Sequence, residues 1–349
     1  MRAAALLNGV ITATDVPEPP ELGPDQVLVA VHSCGICGSD LSLWKDAQTF
    51  VDVSIAGQNT LSVFDPTRPV VPGHEFAGTV VGVGTDVEGF GLGDRVAGIG
   101  VATDVETGEM TIIGYSNKYP GAFAERVVVD SGFLRLLPSG LSFDAAALAE
   151  PLHVGESHVQ QSGFRSGEAA LVVGAGPIGL GVVIALAQRG CESLVVVEPS
   201  PTRRRIAAGF GATTVAAPMA GGPVAAVPGD TGGSSLVVYE CSGRQGALDE
   251  LIRTLPIGSR IQVVASPFTP EVFVPVIAQW RQIVVNFGSG PVEDPYGVTL
   301  GRLARGEIDT TELITGRVSI EEVGSAFESL LDPEEHFKIV VHPQGGPGE

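Results

Sequence analysis

The chain has 349 residues, of which 44% are hydrophobic, 6% are aromatic and 47 are glycine. This length exceeds the size at which one hydrophobic core keeps growing, so it predicts two domains, and the composition is typical of a globular protein. Forty acidic residues against 20 basic ones give a net charge of −20, which argues against nucleic acid or an anionic membrane as a partner.

The cellular compartment is predicted from the first residues and from the cysteines. The chain starts without the long apolar region and small-residue cleavage site of a signal peptide. The longest apolar run, residues 171–187, is interrupted by glycines and a proline. Four cysteines at positions 34, 37, 191 and 241 do not form the pattern of a disulfide framework. We therefore expect a cytoplasmic protein without a membrane segment.

The order of predicted elements changes near residue 143. Up to that point, segments such as "DQVLVAVHSC" and "GAFAERVVVD" predict short strands separated by turns, hence a β-rich region. From residue 170 onward, apolar strands alternate with segments of helical length, the strands being "ALVVG", "SLVVVE", "TTVAA", "SLVVYECSG", "RIQVVA" and "QIVVNFG". This alternation predicts a parallel sheet that is buried on both faces.

The first chemical motif along the chain is "SCGICGSD", which contains Cys34 and Cys37. Two cysteines at this spacing can be a redox dithiol, half of a structural zinc site, or one metal ligand beside an unrelated cysteine. Two later fragments, "VPGHEFAG" with His74 and Glu75 and "AEPLHVG" with Glu150, bear on the choice. Cysteine, histidine and glutamate all bind zinc, and three protein ligands plus a water are typical of a catalytic zinc site.

A phosphate-binding turn follows the strand "AALVVG". It is a G-x-G-x-x-G motif ahead of a segment of helical length, and it comprises Gly174, Gly176, Pro177, Ile178 and Gly179. The glycines allow a tight turn and a close approach of the backbone to a pyrophosphate, and the helix N-terminus offers free N–H groups. The motif between a strand and a helix predicts a dinucleotide-binding domain.

The coenzyme is predicted from the residues after the next strand. Glu198 ends the strand "SLVVVE", where an acid accepts hydrogen bonds from the adenosine ribose and repels a 2′-phosphate. Arg203 and Arg204 favour the opposite choice, because an arginine can pair with that phosphate. We expect NAD rather than NADP.

These motifs together resemble the zinc-dependent medium-chain dehydrogenases, and in particular their sorbitol, butanediol and threonine dehydrogenase branch. The resemblance rests on "GICGSD", "GHEFAGTVVGVG", "GDRVAG", "AEPLHVG" and "VVGAGPIGL", which occur in the family's order. It implies an α/β fold in which a Rossmann domain, a doubly wound parallel sheet at residues 143–287, is inserted into a β-rich GroES-like catalytic domain formed by residues 1–142 and 288–349.

The resemblance also implies roles for individual residues around the metal. Cys37, His74 and Glu150 are the implied zinc ligands, with Glu75 alongside, and the sequence leaves open which glutamate binds at rest. Ser39 would hydrogen-bond the alcohol oxygen and accept its proton. Asp40 would accept the second ring N–H of His74 and so fix its tautomer. Cys34 is then a small buried residue.

On the coenzyme side, the resemblance implies contacts from Cys241, Val264, Ala265 and Phe287, the last three through backbone groups near the nicotinamide. Lys338, in the closing segment "HFKIVVHP", would approach the coenzyme with its charge.

Three features depart from the family pattern. Residues 98–123, where relatives carry four cysteines for a structural zinc, contain none, so we expect one zinc per chain. Ser42 stands where many relatives have a proton-relaying histidine. The stretch 46–70 is longer than in the liver-type enzymes, and it is either a surface elaboration, a wall of the substrate pocket or an oligomer contact. Trp44 and Phe50 are candidates for lining that pocket.

The resulting expectation is an NAD- and zinc-dependent dehydrogenase that converts a secondary alcohol or polyol reversibly to a ketone or aldehyde. Its partners would be a small-molecule substrate and further copies of the chain, in a homodimer or homotetramer. Two alternatives stay open at this point: a zinc-free reductase of enones or quinones from the same superfamily, and a protein that binds the coenzyme without turnover.

Overall fold

Two compact units make up the protein in its computed structural model, which describes residues 1–228, 236–288 and 292–345. The first unit comprises Met1–Glu150 and Leu300–Glu349, and the second comprises Pro151–Thr299. The sequence placed these boundaries at 142/143 and 287/288 instead. Both observed boundaries fall inside helices. A prediction based on strands and turns does not detect a boundary at such a place.

The strands of the described chain are, in order, β1 (Arg2–Leu7), β2 (Val10–Asp15), β3 (Gln26–Gly35), β4 (Glu75–Val83), β5 (Arg95–Ile99), β6 (Val101–Thr103), β7 (Met110–Ile112), β8 (Arg126–Asp130), β9 (Leu134–Leu136), β10 (Ala169–Val173), β11 (Leu194–Val197), β12 (Thr214–Ala216), β13 (Leu236–Glu240), β14 (Arg260–Val263), β15 (Val284–Asn286), β16 (Ile314–Val318) and β17 (Lys338–Val341).

The α-helices are α1 (Gly38–Lys45), α2 (Ala47–Ala56), α3 (Phe143–Ala147), α4 (Ala149–Gln161), α5 (Pro177–Gln188), α6 (Pro201–Gly209), α7 (Ala247–Thr254), α8 (Pro275–Trp280), α9 (Pro295–Ala304) and α10 (Val323–Ser329). None of them, over the ranges described, has the length and apolar character needed to cross a membrane.

The first unit is built on a sheet in the order β16-β17-β3-β4-β5-β9, with β8 also paired to β3. Only β16 and β17 run parallel among these pairs, and the other neighbours are antiparallel. Along β3 the side chains of Val27, Val29 and Val31 are fully buried, as the alternating pattern predicts for a sheet with one face on a core. The predicted β-rich region is confirmed.

The ends of three strands in this sheet meet and position the candidate site. Strand β3 ends at Gly35, just ahead of Cys37, and β4 begins at Glu75, just after His74. Gly35 is paired with Glu75 on one side and with Val340 of β17 on the other. Residues far apart in the sequence are therefore adjacent here.

The second unit holds a parallel sheet in the order β12-β11-β10-β13-β14-β15. All six strands lie where the apolar runs predicted them, and their central members are buried on both faces, as in β10, where every residue is buried. After β10 the chain adds β11 and β12 on one side of it and then β13, β14 and β15 on the other side. The topological switch point therefore lies between β10 and β13. Ligands of doubly wound sheets bind at this point, and the Rossmann prediction is confirmed.

The stretch 46–70 forms α2 and a loop that is tied to the later part of the first unit. Asn117 accepts a hydrogen bond from the backbone N–H of Asp65 (2.7 Å) and donates to the carbonyl oxygens of Asp65 and Pro69, both at 3.2 Å. Asp46 caps α2 by accepting a hydrogen bond from the N–H of Thr49 at 2.9 Å. The inserted stretch is thus an ordered part of the unit.

Candidate functional site

The glycine-rich turn of the second unit has the geometry that its motif requires. Gly174 has φ +93°, a conformation that L side chains rarely adopt. A Cβ on Gly179 would lie 2.1 Å from the carbonyl oxygen of Gly174, so helix α5 packs against the turn only with glycine there. Gly176 is the N-cap of α5, and Pro177 starts the helix. The free N–H groups of this helix N-terminus are donors of the kind that bind phosphates, and Ile178 lies in the first turn of the helix.

Glu198 lies beside this turn, and its carboxylate is engaged by backbone. One oxygen accepts a hydrogen bond from the N–H of Ala175 at 2.7 Å, and the other accepts from the N–H of Ser200 at 2.9 Å. The guanidinium of Arg203 comes within 3.8 Å of the point where a Cβ on Gly176 would lie. An acid and a base therefore both border the turn, as the sequence indicated.

A cavity of about 440 Å³ in the second unit gathers three of the predicted coenzyme residues, because Val264, Ala265 and Phe287 all line it. Cys241 lies at the end of β13, and its Cβ is 3.2 Å from the position of a Cβ on Gly179. His158, for which the sequence suggested no role, also lines this cavity. Burial lowers the pKa of His158, so its ring is neutral at pH 7.

In the first unit, Cys37 lies at the junction of β3 and α1, where Asp40 holds the backbone. One carboxylate oxygen of Asp40 accepts from the N–H of Cys37 at 2.9 Å, and the other accepts from the N–H of Gly73 at 3.2 Å. The second oxygen is 3.7 Å from Nδ1 of His74, which is longer than a hydrogen bond. Asp40 is therefore close to the predicted position, but its hydrogen bonds go to the backbone on both sides of the site.

Tyr115 is a site residue that the sequence did not indicate. Its hydroxyl group donates to Oγ of Ser39 at 2.7 Å and lies 3.3 Å from Nδ1 of His74. Ser39 in turn donates to Sγ of Cys37 at 3.0 Å. Burial raises the pKa of Tyr115 well above its usual range, so the hydroxyl group stays protonated. Tyr115 belongs to no motif, and no pattern in the sequence predicts its contact with Ser39.

Glu75 and Lys338 form a buried ion pair next to these groups. The Nζ of Lys338 donates to both carboxylate oxygens of Glu75, at 2.9 and 2.6 Å, and to the carbonyl oxygen of Ile36 at 2.8 Å. The side chain of Lys338 is 2% exposed, and that of Glu75 is 0% exposed. The structure thus places Lys338 on Glu75, whereas the sequence assigned Lys338 to the coenzyme and left Glu75 free to approach zinc. The strand pairing of β17 with β3, invisible in the sequence, accounts for the difference.

The arrangement and the donor chemistry of these residues bear differently on a zinc ion. Among residues 1–228, 236–288 and 292–345, no group of three or more His, Cys, Asp or Glu side chains is arranged to hold a metal ion. The donor chemistry does fit, since the partly buried Cys37 thiol and the buried His74 imidazole interact directly and are both strong zinc ligands. Glu150 belongs to the same unit, and its charge acts on His74.

The protonation of this pair follows from burial and mutual charge. Burial raises the pKa of the Cys37 thiol, and the carboxylate of Glu75 raises it further. For His74, burial would lower the pKa, but the hydrogen bond and charge of Cys37 together with the charges of Asp40 and Glu150 outweigh it and raise that pKa well above its usual range. Binding of a metal would therefore displace protons from both side chains.

The two predicted pocket residues occupy different environments. Phe50, in α2, is buried, and its ring centroid lies 4.9 Å from that of Tyr115. Trp44 donates its indole N–H to the carbonyl oxygen of Gly9 at 2.9 Å and lines a groove of about 340 Å³. Ser42 donates to the carbonyl oxygen of Gly38 at 3.2 Å. Phe50 is thus the member of this set that reaches the candidate site, through Tyr115.

Two known protein families match parts of this chain. Residues 23–139 match the family described as "Alcohol dehydrogenase GroES-like domain", and residues 177–321 match "Zinc-binding dehydrogenase". The (R,R)-butanediol dehydrogenase of Bacillus subtilis (strain 168) is 31% identical, over 98% of this chain and 100% of that protein. The sorbitol dehydrogenase of the same organism is 29% identical, over 98% of this chain and 97% of that protein.

Among solved structures, the crystal structure of 2R,3R-butanediol dehydrogenase from Bacillus subtilis superposes with a TM-score of 0.81 at 30% identity, covering 98% of this chain and 99% of that one. The similarity extends over both units. The chain therefore belongs to the zinc-type medium-chain alcohol dehydrogenase superfamily, in the branch of the sorbitol and butanediol dehydrogenases.

Proposed function

We propose that the protein is a zinc- and NAD-dependent dehydrogenase that oxidises a secondary alcohol or polyol reversibly to a ketone or aldehyde. The observation that carries the proposal is the hydrogen-bonded group of Cys37, Ser39 and His74 in the first unit. The similarity to butanediol and sorbitol dehydrogenases over nearly the whole chain supports the class of reaction. The second unit supplies the dinucleotide turn.

Cys37, His74 and Glu150 would hold the zinc ion in this proposal. Glu75 is less suited as a resting ligand, because both of its carboxylate oxygens accept hydrogen bonds from Lys338. One zinc per chain is proposed, since residues 98–123 contain no cysteine. In that region Lys118 instead joins Asp104 and Glu106 through ion pairs of 2.8 and 2.9 Å.

When bound, zinc polarises the alcohol oxygen and lowers the pKa of its proton, and the oxidised nicotinamide accepts the hydride. Ser39 would accept the alcohol proton and release its own hydroxyl hydrogen toward the coenzyme ribose and solvent, so that the proton leaves the site. Its hydroxyl oxygen has two lone pairs, of which Tyr115 occupies one, so one remains for the substrate. Asp40 keeps Cys37 in place by accepting its backbone N–H, and the buried Lys338 balances the charge of Glu75.

NAD is the proposed coenzyme because the carboxylate of Glu198 borders the turn and would repel a 2′-phosphate. All four cysteines are free thiols, which supports a reducing compartment such as the cytoplasm. The proposed partners are a small-molecule alcohol or ketone and further copies of the chain, in a homodimer or homotetramer. Nucleic acid and membrane are not proposed as partners, in view of the charge of −20.

The proposal is tested by measuring the metal content of the purified protein together with turnover of (R,R)-2,3-butanediol and sorbitol with NAD and NADP. We expect about one zinc per chain, which is lost in Cys37→Ala and retained in the control Cys191→Ala, a buried cysteine of the second unit. A parent protein that takes up no zinc after reconstitution would contradict the proposal. It would direct the search to zinc-free reduction of enones and quinones, or to coenzyme binding without turnover.

A further inference from the structure

We infer that Tyr115 is a positioning residue of the candidate site, whose hydroxyl group fixes the tautomer of His74 and the orientation of the Ser39 hydroxyl group. The inference rests on the proposed function, because it concerns the ligands and the proton acceptor named there. It assigns a role to a residue that lies outside every sequence motif of the chain.

The first step of the argument is the direction of the hydrogen bonds. Tyr115 donates to Ser39, and Ser39 donates to the thiol sulfur of Cys37. A tyrosine hydroxyl group has one hydrogen to donate and lone pairs to accept with. Because that hydrogen points to Ser39, the Tyr115 oxygen faces Nδ1 of His74, at 3.3 Å, as an acceptor. Nδ1 of His74 therefore carries the hydrogen.

The second step compares Tyr115 with Asp40, the other group near this nitrogen. Asp40 is 3.7 Å from Nδ1, and its two oxygens already accept from the N–H groups of Cys37 and Gly73. Tyr115 is 0.4 Å closer (3.7 − 3.3). With the hydrogen kept on Nδ1, Nε2 is the ring nitrogen that gives up its proton to a metal and binds it. Partners of this kind fix the ring and raise metal affinity.

The third step is the support behind the tyrosine ring. Tyr115 is 4% exposed, and the ring of Phe50 packs on it with centroids 4.9 Å apart and planes at 48°. Phe64 packs on Phe50 in turn, at 6.3 Å. Both phenylalanines belong to the inserted stretch 46–70, which Asn117 ties down through Asp65. The insertion thus holds Tyr115 in place, and this gives it a role as a wall of the site.

The test uses the full chain and compares Tyr115→Phe with Tyr119→Phe. Tyr119 is also buried and lies in the same segment, but its hydroxyl group donates to the carbonyl oxygen of Thr103 at 3.3 Å, away from Ser39 and His74. Zinc affinity is measured on the metal-free proteins by competition with a chromophoric chelator. We expect the dissociation constant to rise about tenfold or more for Tyr115→Phe and to change less than about twofold for Tyr119→Phe.

A second readout separates the two hydrogen bonds of Tyr115. In the Ser39→Ala background, Tyr115→Phe should cause no further loss of kcat with (R,R)-2,3-butanediol, because the proton acceptor that it orients is gone. Its effect on zinc affinity, which acts through His74, should persist. Such non-additivity is the signature of residues that act as one unit.

The outcomes separate this inference from the proposed function. Equal zinc affinity in the parent, Tyr115→Phe and Tyr119→Phe would overturn the role of Tyr115 and leave the dehydrogenase proposal standing. Turnover of no alcohol by a parent that binds zinc would count against the proposed function, while the affinity comparison would still decide on Tyr115. A parent that binds no zinc would contradict both.

Discussion

The pair of Glu75 and Lys338 is the residue-scale feature with the largest expected effect on stability. Removing one partner of a buried ion pair leaves an uncompensated charge, which costs about 3–5 kcal/mol. We therefore expect Lys338→Met to lower the free energy of unfolding of the zinc-free protein by about that amount. Denaturation with guanidinium chloride, monitored by circular dichroism, measures the change.

A second variant keeps this prediction interpretable. The double variant Glu75→Met/Lys338→Met removes both charges, and it should recover most of the lost stability, because paired apolar replacements of similar volume are often neutral. Arg2→Met, which breaks the exposed pair of Arg2 with Glu321, serves as a control and should have a much smaller effect. If the double variant is as unstable as Lys338→Met, the uncompensated charge is not the cause.

At the same scale, the sequence predicted which residues gather at the site but not how they bond. Cys37, His74 and Glu75 come together as the motifs indicated, because each is adjacent to the end of a predicted strand. The contact of Tyr115 with Ser39 spans 76 positions, and that of Lys338 with Glu75 spans 263. Such contacts depend on strand pairing and side-chain direction, and neither leaves a periodic signal in one sequence.

At the scale of elements, Asp144 in helix α3 connects four parts of the first unit. Its carboxylate accepts hydrogen bonds from Ser33 in β3 and from Arg317 in β16 at 2.8 Å, and it lies 2.8 Å from Nε2 of His342 just after β17. Burial would raise the pKa of Asp144, but the hydrogen bonds from His342, Ser33 and Arg317 outweigh it and hold that pKa below its usual value.

This cluster predicts a defined dependence of stability on pH. We expect Asp144→Asn to lower the free energy of unfolding by about 1–3 kcal/mol near neutral pH. Because the folded pKa is depressed, the advantage of the parent is complete above the ordinary aspartate pKa of 3.8 and shrinks as the pH falls below it. Unfolding curves of the parent and of Asp144→Asn between pH 3 and 7 measure this difference in stability. Asp25→Asn, which replaces an exposed aspartate, serves as the control. A difference that does not change with pH would contradict the assignment.

The elements themselves show where sequence patterns suffice. The six parallel strands of the second unit were all predicted, since each is a short apolar run bounded by glycine or polar residues. The helix α2 within the stretch 46–70 was not, because its buried residues Phe50, Val51 and Ser54 include a polar serine, while the apolar Val53 and Ile55 stay exposed. Its helical period is therefore obscured by apolar residues on both faces.

For the whole molecule, the order of the motifs predicted a dinucleotide unit inserted into a second unit, and this organisation is observed. The boundaries differ because Glu150/Pro151 lies within α4 and Thr299/Leu300 lies within α9. A helix that runs from one unit into the next gives no change of composition at the point of division. Motifs therefore predict which unit a residue serves better than they predict where a unit ends.

The proposed self-association belongs to this same scale, and the edge of the parallel sheet is its expected contact. Strand β15 is the last strand of that sheet, and within the described part of the chain it pairs with β14 alone, so these residues leave one side of its backbone open. Val284 on this strand is 57% exposed, and Trp280 just before it is 73% exposed. An open apolar edge favours pairing with another chain. A second copy of the same strand has matching backbone groups and an equally apolar surface.

We therefore expect the parent protein to be at least a dimer at micromolar concentration, and Val284→Lys to shift it towards the monomer, because a lysine on an edge strand opposes pairing with another chain. Light scattering coupled to size-exclusion chromatography measures the mass of each. Leu92→Lys is the matched control, since Leu92 is 72% exposed but belongs to the first unit, and it should leave the mass unchanged. A parent of monomeric mass, or a Val284→Lys variant of unchanged mass, would show that β15 is not the contact.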